Sequence, residues 1–191
     1  IFNWEQEILK FNPNLSFYRY YGPQRDLNEA LGFQLIITSY GTVRNEIEQL
    51  SQETFCYVIL DESQQIKNVN SQISRAVILL KSKFRLALSG TPIENNLAEL
   101  YALFRFLNPA ILGGLERFTR CYLNPIQQRG DREIAGELKQ KIQPFLMRRL
   151  KKEVLKDLPE KIEQTLFVEL TLEHQRFYEQ RRSFFYDAVS D

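Results

Sequence analysis

Two adjacent carboxylates, Asp61 and Glu62, follow directly on the apolar run Tyr57-Val58-Ile59-Leu60. One such acid can hold a hydrated Mg²⁺ while its neighbour takes or orients a proton of an attacking water, the pairing that a nucleotide triphosphatase needs. Carboxylates at the C-terminal end of a parallel strand stand where open α/β sheets hold their ligands. The dipeptide alone also fits a solvated acidic turn, because short motifs have many chance matches.

Three further segments join these acids if the strands run parallel. Ile37-Thr38-Ser39-Tyr40-Gly41 offers two hydroxyls and an amide at a glycine turn to a phosphate oxygen. It equally fits a strand-to-helix turn capped by Ser or Thr. Ser89-Gly90-Thr91-Pro92 sets hydroxyls around a glycine, able to hydrogen-bond carboxylates on a neighbouring strand or, again, to cap a turn. Gln64, Gln65 and Lys67 lie just past the acids, within reach of a nucleotide or facing water.

The elements that must position these groups are legible in the hydrophobic periodicity. Helical spacing of Trp4, Ile8, Leu9 and Phe11 ends at Asn12-Pro13-Asn14, and a strand is predicted over Leu15 to Tyr20. A short helix over Arg25 to Leu31, a strand over Phe33 to Thr38 and a helix over Thr42 to Leu50 follow. Phe55 to Asp61 reads as the third strand, its continuous apolar character implying cover on both faces. A helix over Ser71 to Lys81 has Ser71 as N-cap, and a strand spans Phe84 to Ser89. Leu97 to Leu107 is a helix with Leu100, Leu103, Phe104 and Leu107 inward, stopped by Asn108-Pro109. Strict alternation of this kind predicts a parallel α/β sheet. Ile111 to Lys141 then has helical spacing only, with a turn at Gly130-Asp131. One more strand is predicted over Pro144 to Leu150, a short helix closing at Leu158-Pro159, a strand over Lys161 to Leu170, and a long helix capped by Thr171.

Composition is that of a globular protein, 43% apolar and 26% charged, and a net charge of +1 neither requires nor excludes a polyanionic partner. Cys56 and Cys121 lack a neighbouring His or Cys, so they are expected to be buried, reduced thiols rather than metal ligands. No membrane-spanning stretch or signal peptide is evident, and the opening at Ile1 without Met suggests an excerpt. Lys139 to Lys152 holds six basic residues and no acid. Such a run is ordinarily a solvated face or pairs with later acids, with nucleic-acid binding the sharper alternative. His174 reads as a surface residue, and Phe177, Tyr178, Phe184 and Phe185 as a packing face rather than a base-stacking platform.

The ordered series NWEQEILKFNP, LIITSYGTVRNE, VILDESQQIKN, RLALSGTPIENNLAELYALFRFLNP, FTRCYLNPI, PFLMRRLKKEVLKDLPEK and VELTLEHQRFYEQ closely resembles Swi/Snf-type DNA-dependent ATPases of helicase superfamily 2. It covers nearly the whole chain, and ILGGLERFTRCYLNPI is worded more like the bacterial members. The resemblance implies a RecA-like parallel sheet, the first helicase lobe, with a helical protrusion. Residues 1–109 would be partial lobe one, 110–143 the protrusion (Gly113 to Gln143 matching it directly), 144–160 the end of the lobe and linker, and 161–191 the entry to lobe two.

Residue by residue, it implies Asp61 and Glu62 as the Walker B pair, Asp61 holding Mg²⁺ through water and Glu62 activating the attacking water. Ser89, Gly90 and Thr91 match the motif coupling nucleotide state to DNA contact, with Gln64 on the nucleotide side. Thr38, Ser39 and Tyr40 match a motif along the DNA backbone, and Arg148 and Arg149 a signature of interlobe or structural role. Ser63 is a mild departure, since the family mostly has Ala there.

The larger departure is an absence. No G-x-x-x-x-G-K-[ST] phosphate loop occurs, no Gly is followed by Lys, and the second-lobe motifs with their arginine finger are missing. ATP, Mg²⁺ and double-stranded DNA are expected as partners of the intact parent, with a nucleoprotein complex as a further candidate target. The 191 residues alone are expected to be inactive, to bind no cofactor tightly, and either to self-associate through strand edges left unpaired or to have a core padded by the protrusion. The setting implied is intracellular, the nucleoid if bacterial and the nucleus if eukaryotic. Two other readings remain at this point: a non-catalytic interaction module with this fold, and a carboxylate hydrolase unrelated to nucleotides.

Overall fold

The computed structural model describes residues 2–90, 97–149, 166 and 170–189. The molecule divides into two units, residues 1–146 and 147–191. In the first unit, α1 (Phe2–Phe11) leads to β1 (Phe17–Tyr20), α2 (Leu27–Ala30), β2 (Leu35–Thr38), α3 (Tyr40–Asn45) and α4 (Ile47–Leu50). There follow β3 (Thr54–Leu60), a 3₁₀ turn (Ser63–Ile66), α5 (Gln72–Leu79), β4 (Lys81–Ala87) and α6 (Leu97–Leu107).

β1 runs parallel to β2, with Phe17 opposite Leu35, and β3 runs parallel to β4, with Thr54 opposite Lys81. The alternation thus yields parallel pairs, as the periodicity predicts. Among the described residues no ladder joins the two pairs, which form two ribbons rather than one sheet. A side chain spans the gap: the Tyr40 hydroxyl donates to the backbone carbonyl of Asp61 at 2.7 Å.

Local caps follow the sequence chemistry. Ser71 accepts from the amide of Ser74 at 3.1 Å, and Asp26 accepts from the amides of Asn28 and Glu29, each satisfying helix N–H groups that have no intrahelical partner. The single helix predicted over 42–50 is two. Glu46 leaves helical geometry at φ −108°, ψ 14°, and its carboxylate is held by Arg25.

The β3–β4 ribbon buries one face only. Leu60, Ile66, Val77, Leu80 and Phe106 form the main core with Tyr20, Val43 and Leu50. On the opposite face Tyr57, Ile59, Phe84 and Leu86 are 57%, 48%, 54% and 45% exposed, and the rings of Tyr57 and Phe84 stack at 4.9 Å. Cover on both faces of β3, expected from its apolar run, is not met among the described residues. Cys56 is exposed, which corrects its expected burial; Cys121 is half-buried, and both thiols are free.

α6 is apolar on more than one face because it serves two cores. Phe106 packs with the ribbons, while Leu100, Tyr101 and Phe104 pack with Leu112, Phe118, Tyr122, Leu138 and Ile142. That second cluster is built by α7 (Pro109–Leu112), α8 (Leu115–Phe118), a π-helical turn (Thr119–Leu123), α9 (Asn124–Arg129) and α10 (Arg132–Ile142). Gly130, at φ 65°, closes α9 in the left-handed region, and Asp131 caps α10 by accepting from Glu133 and Ile134.

The strand predicted over Pro144 to Leu150 does not form. Residues 143–145 make a 3₁₀ turn, and 146–149 have no regular structure. Pro144 has no N–H to give a ladder and sits comfortably at the start of a helical turn. Apart from Leu166 and Leu170, the strand predicted over 161–170 lies outside the described residues, as does the helix closing at Leu158-Pro159.

The second unit contains α11 (Leu172–Val189). Thr171 accepts from the His174 amide at 3.4 Å, and His174 is exposed, in line with the surface reading. Phe177 and Tyr178 are 59% and 62% exposed, so they do not form the expected packing face. Among the described residues, no helix is long and apolar enough to cross a membrane.

Candidate nucleotide site at the end of β3

The ladder between β3 and β4 continues one step past the strands and sets the turn that follows. The Leu88 amide donates to Leu60 at 2.7 Å, and the Ser63 amide donates back to Leu88 at 2.9 Å. Asp61 and Glu62 are squeezed between these anchors. Glu62 adopts φ 48°, ψ 51°, and among the described residues it is the one non-glycine with positive φ. That conformation costs a non-glycine residue about 1 kcal/mol. It persists because the buried Ser63, 4% exposed, and the fully buried Ile66 fix the chain on its far side.

Both carboxylates are exposed, and each is held by named donors. Asp61 Oδ1 accepts from the Glu62 amide at 2.9 Å, and Oδ2 accepts from the Trp4 indole Nε1 at 2.8 Å. Glu62 Oε2 accepts from Gln64 Nε2 at 2.7 Å. Gln64 Oε1 in turn accepts from the Ser89 hydroxyl at 3.2 Å. The structure therefore brings Asp61, Glu62, Gln64 and Ser89 together. Gly90 follows Ser89 in an open bend, where a Cβ would meet nothing within 4 Å. Thr91 lies outside the described residues.

Thr38 and Ser39 take the capped-turn role. The Thr38 hydroxyl donates to the Tyr20 carbonyl at 2.7 Å, and Ser39 Oγ accepts from the Thr42 amide at 3.1 Å. Tyr40, half-buried, turns toward the acids through its bond to Asp61. Burial first, and then the charges of Asp61 and Glu62, push its phenol well above the ordinary range. Arg148 and Arg149 belong to the second unit and are exposed.

The donor chemistry suits Mg²⁺. This ion keeps several waters and needs only one or two carboxylates together with substrate phosphates. Two exposed carboxylates meet that need, and among the described residues no cluster of three or more His, Cys, Asp or Glu points to a dedicated metal cage. A phosphate cradle is a different matter, since the glycine-lysine loop is absent from the sequence.

Two contacts had no advance signal. Trp4 reads as a packing residue of α1, yet it bonds a carboxylate 57 residues away. Arg85, inside β4, has no acidic partner among the described residues: it donates to the carbonyls of Phe106 and Leu80, each at 2.7 Å, and lies over the Phe106 ring. Burial lowers its pKa from the ordinary value.

Comparison with known proteins gives consistent matches. The model of the SNF2-related domain matches residues 1–189. The putative ATP-dependent helicase/translocase YwqA of Bacillus subtilis is 41% identical over 185 residues, covering 93% of this chain and 20% of that protein. The TATA-binding protein-associated factor BTAF1 of Arabidopsis thaliana is 40% identical over 195 residues, covering 93% of this chain and 10% of that protein. The Sulfolobus solfataricus SWI2/SNF2 ATPase core in complex with double-stranded DNA superposes with a TM-score of 0.74 at 36% identity, over 100% of this chain and 40% of that one. The chain thus spans a fifth or less of these curated relatives.

Proposed function

The chain belongs to the SNF2-related family and has its RecA-like α/β fold, and from that premise we propose that it is the central part of the first motor lobe of an ATP-driven double-stranded DNA translocase. The reading rests on one observation above the others: Glu62, Gln64 and Ser89 form a continuous hydrogen-bonded bridge between the ends of β3 and β4. A group that handles the attacking water and a group that reports nucleotide state need such a connection. Mg²⁺ when bound would neutralise phosphate charge, and Asp61 would hold it through water.

The roles proposed for this chain's residues join their geometry to the family likeness. Glu62, exposed and oriented by Gln64, accepts a proton from the attacking water. Ser89 and Gly90, with Thr91, transmit changes at that carboxylate toward the DNA side. Thr38, Ser39 and Tyr40 shape the turn facing the DNA backbone, their hydroxyls holding the fold rather than reaching out. In this reading residues 1–109 belong to lobe one, 110–143 to its protrusion, 144–160 to the end of the lobe and the linker, with Arg148 and Arg149 in an interlobe or structural role, and 161–191 to the entry of lobe two. The YwqA and BTAF1 likenesses fit a motor acting on DNA inside the cell, with a nucleoprotein complex as its target.

ATP turnover requires the phosphate cradle as well, so the 191 residues by themselves bind ATP weakly and do not hydrolyse it. The open face of Tyr57, Ile59, Phe84 and Leu86 favours pairing of two copies of the isolated chain. The test of the function is replacement of Glu62 by Gln in the intact ATPase, read by DNA-stimulated phosphate release.

A further inference from the structure

Asp61 is fixed in orientation by two donors from different parts of the chain. The Glu62 amide occupies Oδ1 and the Trp4 indole occupies Oδ2, at 2.9 Å and 2.8 Å. An ionised carboxylate has about four lone-pair sites, and the indole N–H is a donor only. Two sites are thereby used, one on each oxygen, and the plane of the carboxylate is set. The remaining lone pairs are left to accept from the waters of a hydrated cation.

Trp4 is itself delivered by an anchored helix. Its neighbour Glu5 is 7% exposed and pairs with Arg19 of β1 at 3.6 Å, and Ile8, one turn on, is buried. Trp4 is 41% exposed, more than a residue held in place by core packing alone would be. We propose that Trp4 is a positioning residue for Asp61, setting the carboxylate that faces the metal through an indole hydrogen bond. This rests on the reading of Asp61 as the Mg²⁺-side acid. Partners that orient metal-facing groups in this way typically change metal affinity or activity by roughly 10-fold to 100-fold when removed.

Trp4 is the single tryptophan of the chain, so its indole N–H gives one side-chain cross-peak in a ¹⁵N-correlated NMR spectrum. In the 191-residue chain, Asp61→Ala should move that cross-peak, and titration with MgCl₂ should move it in the unsubstituted chain but not in Asp61→Ala. In the intact ATPase, Trp4→Phe keeps an aromatic ring and removes only the donor. It should raise the Mg²⁺ concentration for half-maximal DNA-stimulated hydrolysis about 10-fold, with a smaller loss in kcat. An indole cross-peak unmoved by Asp61→Ala overturns the proposal, and so does an unchanged Mg²⁺ dependence in Trp4→Phe. Asp61→Asn in the intact ATPase separates the two ideas. Normal hydrolysis there removes the Mg²⁺ role of Asp61 itself, whereas loss of hydrolysis combined with an unchanged Trp4→Phe removes only the role of Trp4.

Discussion

The Ser89 hydroxyl donates to Gln64 Oε1 at 3.2 Å, so the bend after β4 is tied to the side chain that holds the Glu62 carboxylate. Neither residue needs to touch a ligand for this link to matter. A shift of either strand end must stretch the bridge or move Glu62. In the intact ATPase, Gln64→Ala and Ser89→Ala should each lower the stimulation of hydrolysis by DNA more than they lower the basal rate. The double variant should do no more than the worse single one, because both cut the same bridge. Additive losses in a double-mutant cycle would show that the two side chains act separately.

Arg85 offers a test of the fold rather than the chemistry. Its guanidinium satisfies the carbonyls of Leu80 and Phe106 near the ends of α5 and α6, where helix carbonyls lack intrahelical partners. Arg85→Met keeps the length and removes every donor, which should destabilise the chain by about 3 kcal/mol in urea unfolding. Arg85→Lys should recover only part of that, because a single ammonium cannot reproduce the fork.

Stability should fall on the alkaline side. Burial and the nearby Asp61 and Glu62 raise the Tyr40 phenol, and burial with the Glu46 charge raises Tyr20. A raised folded-state pKa means that the unfolded chain gives up the proton first. The contribution is therefore intact below about pH 10 and is lost as pH climbs above it. Tyr40→Phe should lose about 1 kcal/mol at neutral pH with its hydrogen bond. It should also show a shallower alkaline decline in urea midpoints measured from pH 8 to 11, with Tyr20 supplying what decline remains.

The open ribbon face makes a concentration-dependent prediction for the isolated chain. Light scattering coupled to size exclusion should show an average mass that rises with loading concentration. Ile59→Lys, placing a charge at the centre of the patch, should restore the monomer mass of 22.6 kDa. A mass that stays monomeric at every concentration without the substitution would rule out pairing through this face.

Much of this was legible in the sequence, and the exceptions have physical causes. Alternating apolar runs located all four described strands and the parallel pairing, and Ser71, Gly130-Asp131 and Thr171 marked their caps and turn. Asp61, Glu62, Gln64 and Ser89 converge because parallel strands must end on the same edge, which depends on topology and not on exact boundaries. Long-range polar contacts left no local trace: Trp4 reaches Asp61 and Arg85 reaches Phe106 across the fold, and both side chains fit an apolar or strand pattern equally well. The left-handed turn at Glu62 was equally silent, since Gly, Asn or Asp would have advertised it. The Phe145-Leu146-Met147 run imitated a strand, and Pro144 won.

The most direct test of the motor reading is Glu62→Gln in the intact ATPase that carries this chain. The substitution keeps the size and the partner Gln64 while removing the charge that accepts a proton. DNA-stimulated phosphate release should fall by at least about 100-fold, with ATP binding measured by a fluorescent analogue unchanged. Hydrolysis at the unsubstituted rate would contradict the assignment of Glu62, and with it the reading of this turn as the water-activating half of an ATPase site.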